Sequence, residues 1–157
     1  PERVNLHEVI ERSVRWVVQS ASSRFKVDVD LPADLHCAGS SGQLQQVVMN
    51  LIQNACDATA QQASPRLHIT GAVTEQGMVR LRFTDNGPGI ADEHLPRLFE
   101  PFFTTKPVGQ GTGLGLSISY GIVDRHGGKL EAHRSEAGGA EFVLTLPIEG
   151  PHQAPHS

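Results

Sequence analysis

The stretch from Ser40 to Ala55 constrains the fold of this chain more than any other. Ser40-x-x-Gln43 fits a capping box, in which a side-chain hydroxyl and a carboxamide satisfy the free amides at a helix start. Leu44, Val47, Val48, Leu51, Ile52 and Ala55 then recur at helical spacing and mark one apolar face. Ser64-Pro65 lies beyond the end of the helix. A helix with a single apolar stripe needs a second layer to pack against. The residues that follow read as that layer: Leu67, Ile69 and Val73, a Thr74-Glu75-Gln76-Gly77 turn, then Val79, Leu81 and Phe83, which is the alternation of a half-buried β-hairpin.

The flanking segments extend this scheme. Val4-Asn5-Leu6 reads as a short strand, and a helix is expected from about His7 to Gln19 on the spacing of Val9, Ile10, Val14, Val17 and Val18. Phe25, Val27, Val29 and Leu31 alternate with charged residues up to Pro32, and Leu35 to Ala38 fit a further short strand. Glycine and proline punctuate Asp85 to Gly115, which reads mostly as loop. A helix from about Thr112 to His126 stops at Gly127-Gly128. Strands follow at Leu130-Ala132 and Phe142-Leu146. The tail from Glu149 is polar and expected to be disordered, giving one domain over 1–148 and a tail over 149–157. Hairpins mixed with irregularly placed helices predict an α+β fold, a mostly antiparallel or mixed sheet covered by helices on one face.

At 157 residues the chain can bury a real core, and its net charge of −4 offers no basic surface to draw it to nucleic acid or anionic lipid. No apolar run reaches the length of a membrane span. Cys37 and Cys56 lack metal-ligand spacing and read as reduced thiols. The abrupt start at Pro1-Glu2-Arg3, with no signal peptide, is expected of a piece of a longer protein.

Four constellations carry chemistry. Asn50, Asn54 and Asp57 form a polar stripe beside the apolar one on the central helix; carboxamide oxygens suit a hard cation such as Mg²⁺, although a solvated polar face has the same spacing. In Asp85-Asn86-Gly87-Pro88-Gly89, Asp85 continues the inward parity of Val79, Leu81 and Phe83, so a buried carboxylate must find donors, for which an adenine amino group is suited. A plain Asn-Gly turn is the other reading. Gly109-Gln110-Gly111-Thr112-Gly113-Leu114-Gly115-Leu116-Ser117 runs into a helix start, where backbone amides can meet phosphates. It lacks the Lys-Ser or Lys-Thr of a P-loop and the context of a dinucleotide fingerprint, and a glycine hinge would look similar. Leu98 to Lys106 places Phe99, Phe102 and Phe103 within a loop, where they can pin a mobile segment to the core and let Lys106 bring a point charge to a phosphate.

These four segments, in this order, resemble the GHKL ATP-binding superfamily, and within it the catalytic domain of bacterial sensor histidine kinases. Asn50 to Ala55 resembles the family's N box, Asp85 to Gly89 its first glycine box, Leu98 to Lys106 its phenylalanine box and Gly111 to Leu116 its second glycine box. The likeness covers Val4 to Pro147. The Phe-Phe-Thr-Thr-Lys run and the Asn-Ala-x-Asp-Ala wording are most similar to the nitrogen-regulation and dicarboxylate-sensor type. One departure is Ser40-Ser41, where many members carry an acidic residue.

The resemblance implies a two-layer α/β sandwich with a mobile ATP lid over about Pro101 to Gly113. It implies Asn54 as the principal Mg²⁺ ligand, Asn50 in support, and Asp85 on the adenine amino group. Gly87, Gly89 and Ile90 would shape the adenine pocket. Lys106 would approach the β- or γ-phosphate, Gly111, Gly113, Leu114, Gly115 and Leu116 would present amides to the phosphates, Thr105 and Thr112 are further cofactor contacts, and Asp57 is a weaker one. Asn50, Asn54 and Lys106 form the implied catalytic set. Hydrolases of the superfamily place a glutamate four residues before the metal-binding asparagine; here that position is Asn50, which is no general base. The implied activity is therefore transfer of the ATP γ-phosphate to a histidine on a separate dimerisation segment, and indirectly to a response regulator, in a cytoplasmic domain whose parent kinase is compatible with an inner-membrane anchor. His7 and His126 read as helix-start and helix-end residues rather than phosphate acceptors. The alternatives are an anti-sigma-factor-like serine kinase and a nucleotide-binding docking module without catalysis. The lid reading predicts that amide exchange around Thr104 to Thr112 slows when nucleotide binds; equal exchange in both states, followed by mass spectrometry, would contradict it.

Overall fold

The computed structural model of the chain describes residues 2–20, 24–104 and 115–149. In chain order its elements are β1 (Glu2–Asn5), α1 (Leu6–Ser20), β2 (Lys26–Asp30), β3 (His36–Gly39), α2 (Ser41–Ala58), β4 (Arg66–Val73), β5 (Met78–Asp85), a single 3₁₀ turn (Leu95–Arg97), α3 (Gly115–Arg125), β6 (Lys129–Arg134) and β7 (Ala140–Pro147). The main sheet has the order β2-β4-β5-β7-β6. Its neighbours are antiparallel except β2 and β4, which run parallel, so the sheet is mixed. β1 and β3 form their own antiparallel pair.

Strand parity decides which face is covered. Leu67 and Ile69 on β4, Val79, Leu81 and Phe83 on β5, and Phe142, Leu144 and Leu146 on β7 are buried together with the apolar stripe of α2. On the other face His68, Arg80 and Arg82 are exposed, whereas Val143 and Thr145 of β7 stay buried. Arg82 there donates to Glu141 across the strands at 3.0 Å. The three helices therefore lie on one side of the sheet, with α2 packed between α1 and α3. This is the α+β sandwich that the alternation in the sequence implies.

Several boundaries move. Leu6, expected at the end of the first strand, begins α1, because its amide is taken by the Leu35 carbonyl at 2.8 Å and its side chain is fully buried. The strand expected over Phe25 to Leu31 is limited to Lys26–Asp30. The helix expected from Thr112 is seen from Gly115, the preceding residues lying outside the described ones, and it ends at Arg125, where Gly127 adopts a φ of 75°. The hairpin turn stands as expected, with Gly77 at a φ of 74°.

The start of α2 departs from the sequence reading in an informative way. Ser40 Oγ accepts from the Gln43 amide at 3.3 Å, which is half of a capping box. The other half is not made by Gln43. The Ser40 N–H donates instead to His126 Nε2 at 3.1 Å, and the Ser41 N–H to Glu2 Oε1 at 2.9 Å. That backbone hydrogen bond holds the Glu2 carboxyl below its ordinary range. Residues from β1 and from the end of α3 thus close the start of α2.

Leu81 is fully buried on the central strand, and a Cβ built on the paired Gly71 would lie 2.7 Å from its Cδ2. Leu81→Ala is expected to cost about 2–5 kcal/mol in urea unfolding. Gly71→Ala should cost less in the Leu81→Ala background than alone, because the added methyl then enters vacated space; additive costs would contradict this packing.

Candidate functional site

The polar stripe of α2 faces the start of α3. Asn50 Nδ2 donates to the Gly115 carbonyl at 3.3 Å and to Ser119 Oγ at 3.1 Å. A carbonyl oxygen only accepts, so the amide orientation is chemically determined: the nitrogen faces α3 and Oδ1 points elsewhere. Oδ1 takes no hydrogen bond from the described residues. The side chain of Asn54, one turn later and half-buried, likewise has no hydrogen-bond partner among them. Asp57 is exposed and accepts from Gln53 at 3.0 Å. The stripe therefore offers two neutral carboxamide oxygens from one helix face. No cluster of three or more His, Cys, Asp or Glu suited to a metal occurs among the described residues. Neutral oxygen donors of this kind fit a hard cation whose remaining ligands come from water and a phosphate substrate.

Asp85 closes the inward face of β5 and is 5% exposed. Its Oδ1 accepts from the Gly87 amide at 2.9 Å and the Ala140 amide at 3.2 Å. Burial pushes the carboxyl up from its ordinary range, and the two amides oppose that shift. Oδ2 accepts no hydrogen bond from the described residues. The glycines around the carboxylate are required by neighbouring backbone. A Cβ on Gly139 would collide with the Asp85 carbonyl, and Gly89, at a φ of 81°, would collide with the Gly138 carbonyl. Gly87 sits against the Ala58 carbonyl at the end of α2. Asn86 is structural: its side chain accepts from the Arg66 amide at 2.9 Å and donates to the Ser64 carbonyl at 2.7 Å.

The three phenylalanines divide their tasks. Phe99 packs on Tyr120 of α3, with ring centroids 5.1 Å apart, and edge-on to Phe142 of β7. Phe103 packs locally, on His94 and under Arg97. Phe102 is 72% exposed at a φ of 66°, so the expectation that all three pin the loop to the core is corrected to Phe99 alone. Ile90, Leu98 and Leu116 pack against the core as partly buried residues. Thr105, Lys106, Gly111, Thr112, Gly113 and Leu114 lie outside the described residues. A separate open groove, lined by residues including Thr70, Val73, Arg80 and Arg82, lies at the hairpin end of β5, opposite Asp85, and shares none of these side chains.

The loop after Asp85 thus lies against the end of α2, and the carboxamide stripe of α2 faces the start of α3. Residues 39–150 match the family described as histidine kinase-, DNA gyrase B- and HSP90-like ATPases. The chain belongs to that ATPase family. It is 44% identical over 135 residues to the two-component sensor PprA of Pseudomonas aeruginosa, covering 82% of this chain and 14% of the relative. It is 39% identical over 151 residues to the C4-dicarboxylate transport sensor DctB of the same organism, covering 93% and 24%. Among solved structures, a mycobacterial sensor histidine kinase, MprB, superposes with a TM-score of 0.84 at 28% identity, covering 97% of this chain and all of that one. The chain thus spans only a small part of its curated relatives, and its fold is that of a histidine kinase catalytic domain.

Sequence reasoning did not find Ser119, fully buried on α3, nor the inward role of His126. The signal for the shared face was spacing alone: Ser119, Ile122, Val123 and His126 fall at i, i+3, i+4 and i+7. For this ATPase domain, Asp85→Asn tests the carboxylate environment. A carboxyl whose folded pKa is raised contributes stability that is fully present below its unfolded pKa and lost as pH rises through the folded value. The Asn variant lacks that loss, so its stability relative to the native chain should improve as pH rises from acid through and above the carboxylate range. Parallel stability-pH curves in urea unfolding would contradict the burial argument.

Proposed function

We propose that this domain binds Mg-ATP and donates the γ-phosphoryl group to a histidine on a separate segment. The observation that carries the reading is the fixed orientation of Asn50, whose nitrogen is committed to Gly115 and Ser119 while Oδ1 is left for a cation. Asn54 is the principal metal ligand and Asn50 its support. When bound, Mg²⁺ would neutralise charge on the phosphate chain. Asp85 Oδ2 accepts from the adenine amino group, and Gly87, Gly89 and Ile90 line the ring. Thr105, Lys106 and the amides from Gly111 to Leu116 hold the phosphates, and Asp57 lies at the margin.

These groups position and neutralise; none is a base for water. Asn50 stands where hydrolysing relatives need a carboxylate, so the attacking group is an imidazole nitrogen brought by the partner segment. The bond from the γ-phosphorus to the β,γ-bridging oxygen breaks, a nitrogen–phosphorus bond forms, and ADP leaves. The phosphoryl group then passes to a response regulator. In the parent kinase the domain, residues 1–148, works in the cytoplasm. Among the described residues no helix is long and apolar enough to cross a membrane.

The test combines the chain, a purified dimerisation segment carrying an acceptor histidine, and radiolabelled ATP. Acid-labile phosphate should appear on the segment and not on this chain. Asn54→Ala should lower the rate at least about 100-fold, the scale expected when a ligand of the transition-state charge is removed. Acid-stable phosphate on serine would support the serine-kinase alternative. Binding without transfer to any acceptor would leave a docking module.

A further inference from the structure

His126 does more than end α3. It is 6% exposed, and both ring nitrogens are engaged. Nδ1 lies 2.8 Å from the Ile122 carbonyl, and Nε2 lies 3.1 Å from the Ser40 amide nitrogen at the start of α2. A carbonyl cannot donate and an amide N–H cannot accept, so the partners select one neutral tautomer, with the proton on Nδ1. Termination of α3 does not need this ring: the Gly127 and Gly128 amides already bond to the Asp124 and Val123 carbonyls. The Ser40 bond instead crosses to another helix. β3 makes room for it, since a Cβ on Gly39 would lie 2.5 Å from Cδ2 and 2.6 Å from Nε2 of the imidazole.

The position of this bond along α3 gives it a consequence. Ser119 and His126 stand two turns apart on the α3 face toward α2. Ser119 receives Asn50 at 3.1 Å, and His126 receives Ser40. α3 is thus fastened to α2 at two points, one at the nucleotide stripe and one at the start of α2. A helix of this length moves as a rigid rod, so slippage at one point is passed to the other. The Asn50 bonds, at 3.1 and 3.3 Å, would be lost with an added shift of about half an ångström.

We propose that His126 is a positioning residue of the nucleotide site: its neutral imidazole, bonded to the Ser40 amide, holds α3 in the register at which Gly115 and Ser119 orient the Asn50 carboxamide. The proposal rests on the reading of Asn50 as a support of the metal and phosphate side.

The experiment uses the full chain labelled with nitrogen-15. Imidazole shifts should report the Nδ1-protonated tautomer at His126; the Nε2-protonated form would overturn the proposal. In His126→Ala the side-chain amide signal of Asn50 should move, and affinity for a non-hydrolysable ATP analogue with Mg²⁺ should fall about tenfold, the scale of one lost buried hydrogen bond. His126→Gln, whose Oε1 can still accept from Ser40, should return both to within about twofold of native. Gly39→Ala keeps the imidazole but displaces it, and should move the Asn50 signal even if His126→Ala does not fold. A folded His126→Ala, or Gly39→Ala, with native Asn50 signal and native affinity overturns the proposal. If the Asn50 signal responds as expected but the native chain fails to bind the analogue, the coupling stands and the nucleotide reading falls.

Discussion

Burial of the α2 stripe against the inner face of the sheet is the interaction on which the rest of the structure depends. Leu44, Val47, Val48, Leu51 and Ile52 are all essentially inaccessible. Once they are turned inward, the helical period leaves no freedom for Asn50, Asn54 and Asp57, which must emerge along the neighbouring stripe. α3 then packs beside α2, and Asn50 meets Gly115 and Ser119. The polar stripe is thus a by-product of core packing: the same helix supplies a fully buried apolar face and the carboxamides beside it. A substitution that rotated α2 would damage stability and site together.

Asp85 follows the same logic from the sheet side. It is the last residue of an inward-facing series that is otherwise apolar, so the fold places a carboxylate where water is scarce. Two backbone amides compensate one oxygen, and tight approach of the 138–140 turn delivers one of them. That turn comes so close to the strand that position 139 admits no side chain. The glycines near Asp85 therefore have a structural origin in backbone contact.

Much of this was readable from residue order alone. Periods of two and of helical spacing identified β4, β5, β7 and α2, and parity assigned Asp85 to the interior, where it lies. What sequence did not disclose depends on contacts between distant segments. Local capping chemistry suggested that Gln43 would complete the box at Ser40, but an imidazole 86 residues away takes the amide. Three neighbouring phenylalanines looked equivalent, yet only Phe99 has Tyr120 and Phe142 within reach, because Phe102 sits in a left-handed backbone conformation that turns it outward. β2 alternates like the antiparallel strands of the sheet, yet pairs with β4 in parallel, a direction that composition does not encode. Ser119 is an ordinary helix residue until α2 is placed beside it.

Asp85, the α2 carboxamides and the start of α3 are proposed to form one magnesium-dependent nucleotide site. The most direct measurement is isothermal titration of the purified chain with a non-hydrolysable ATP analogue, in the presence and absence of Mg²⁺. Saturable one-to-one binding that weakens when the metal is withheld is the expected result. A folded chain that releases no heat of binding under either condition would contradict it.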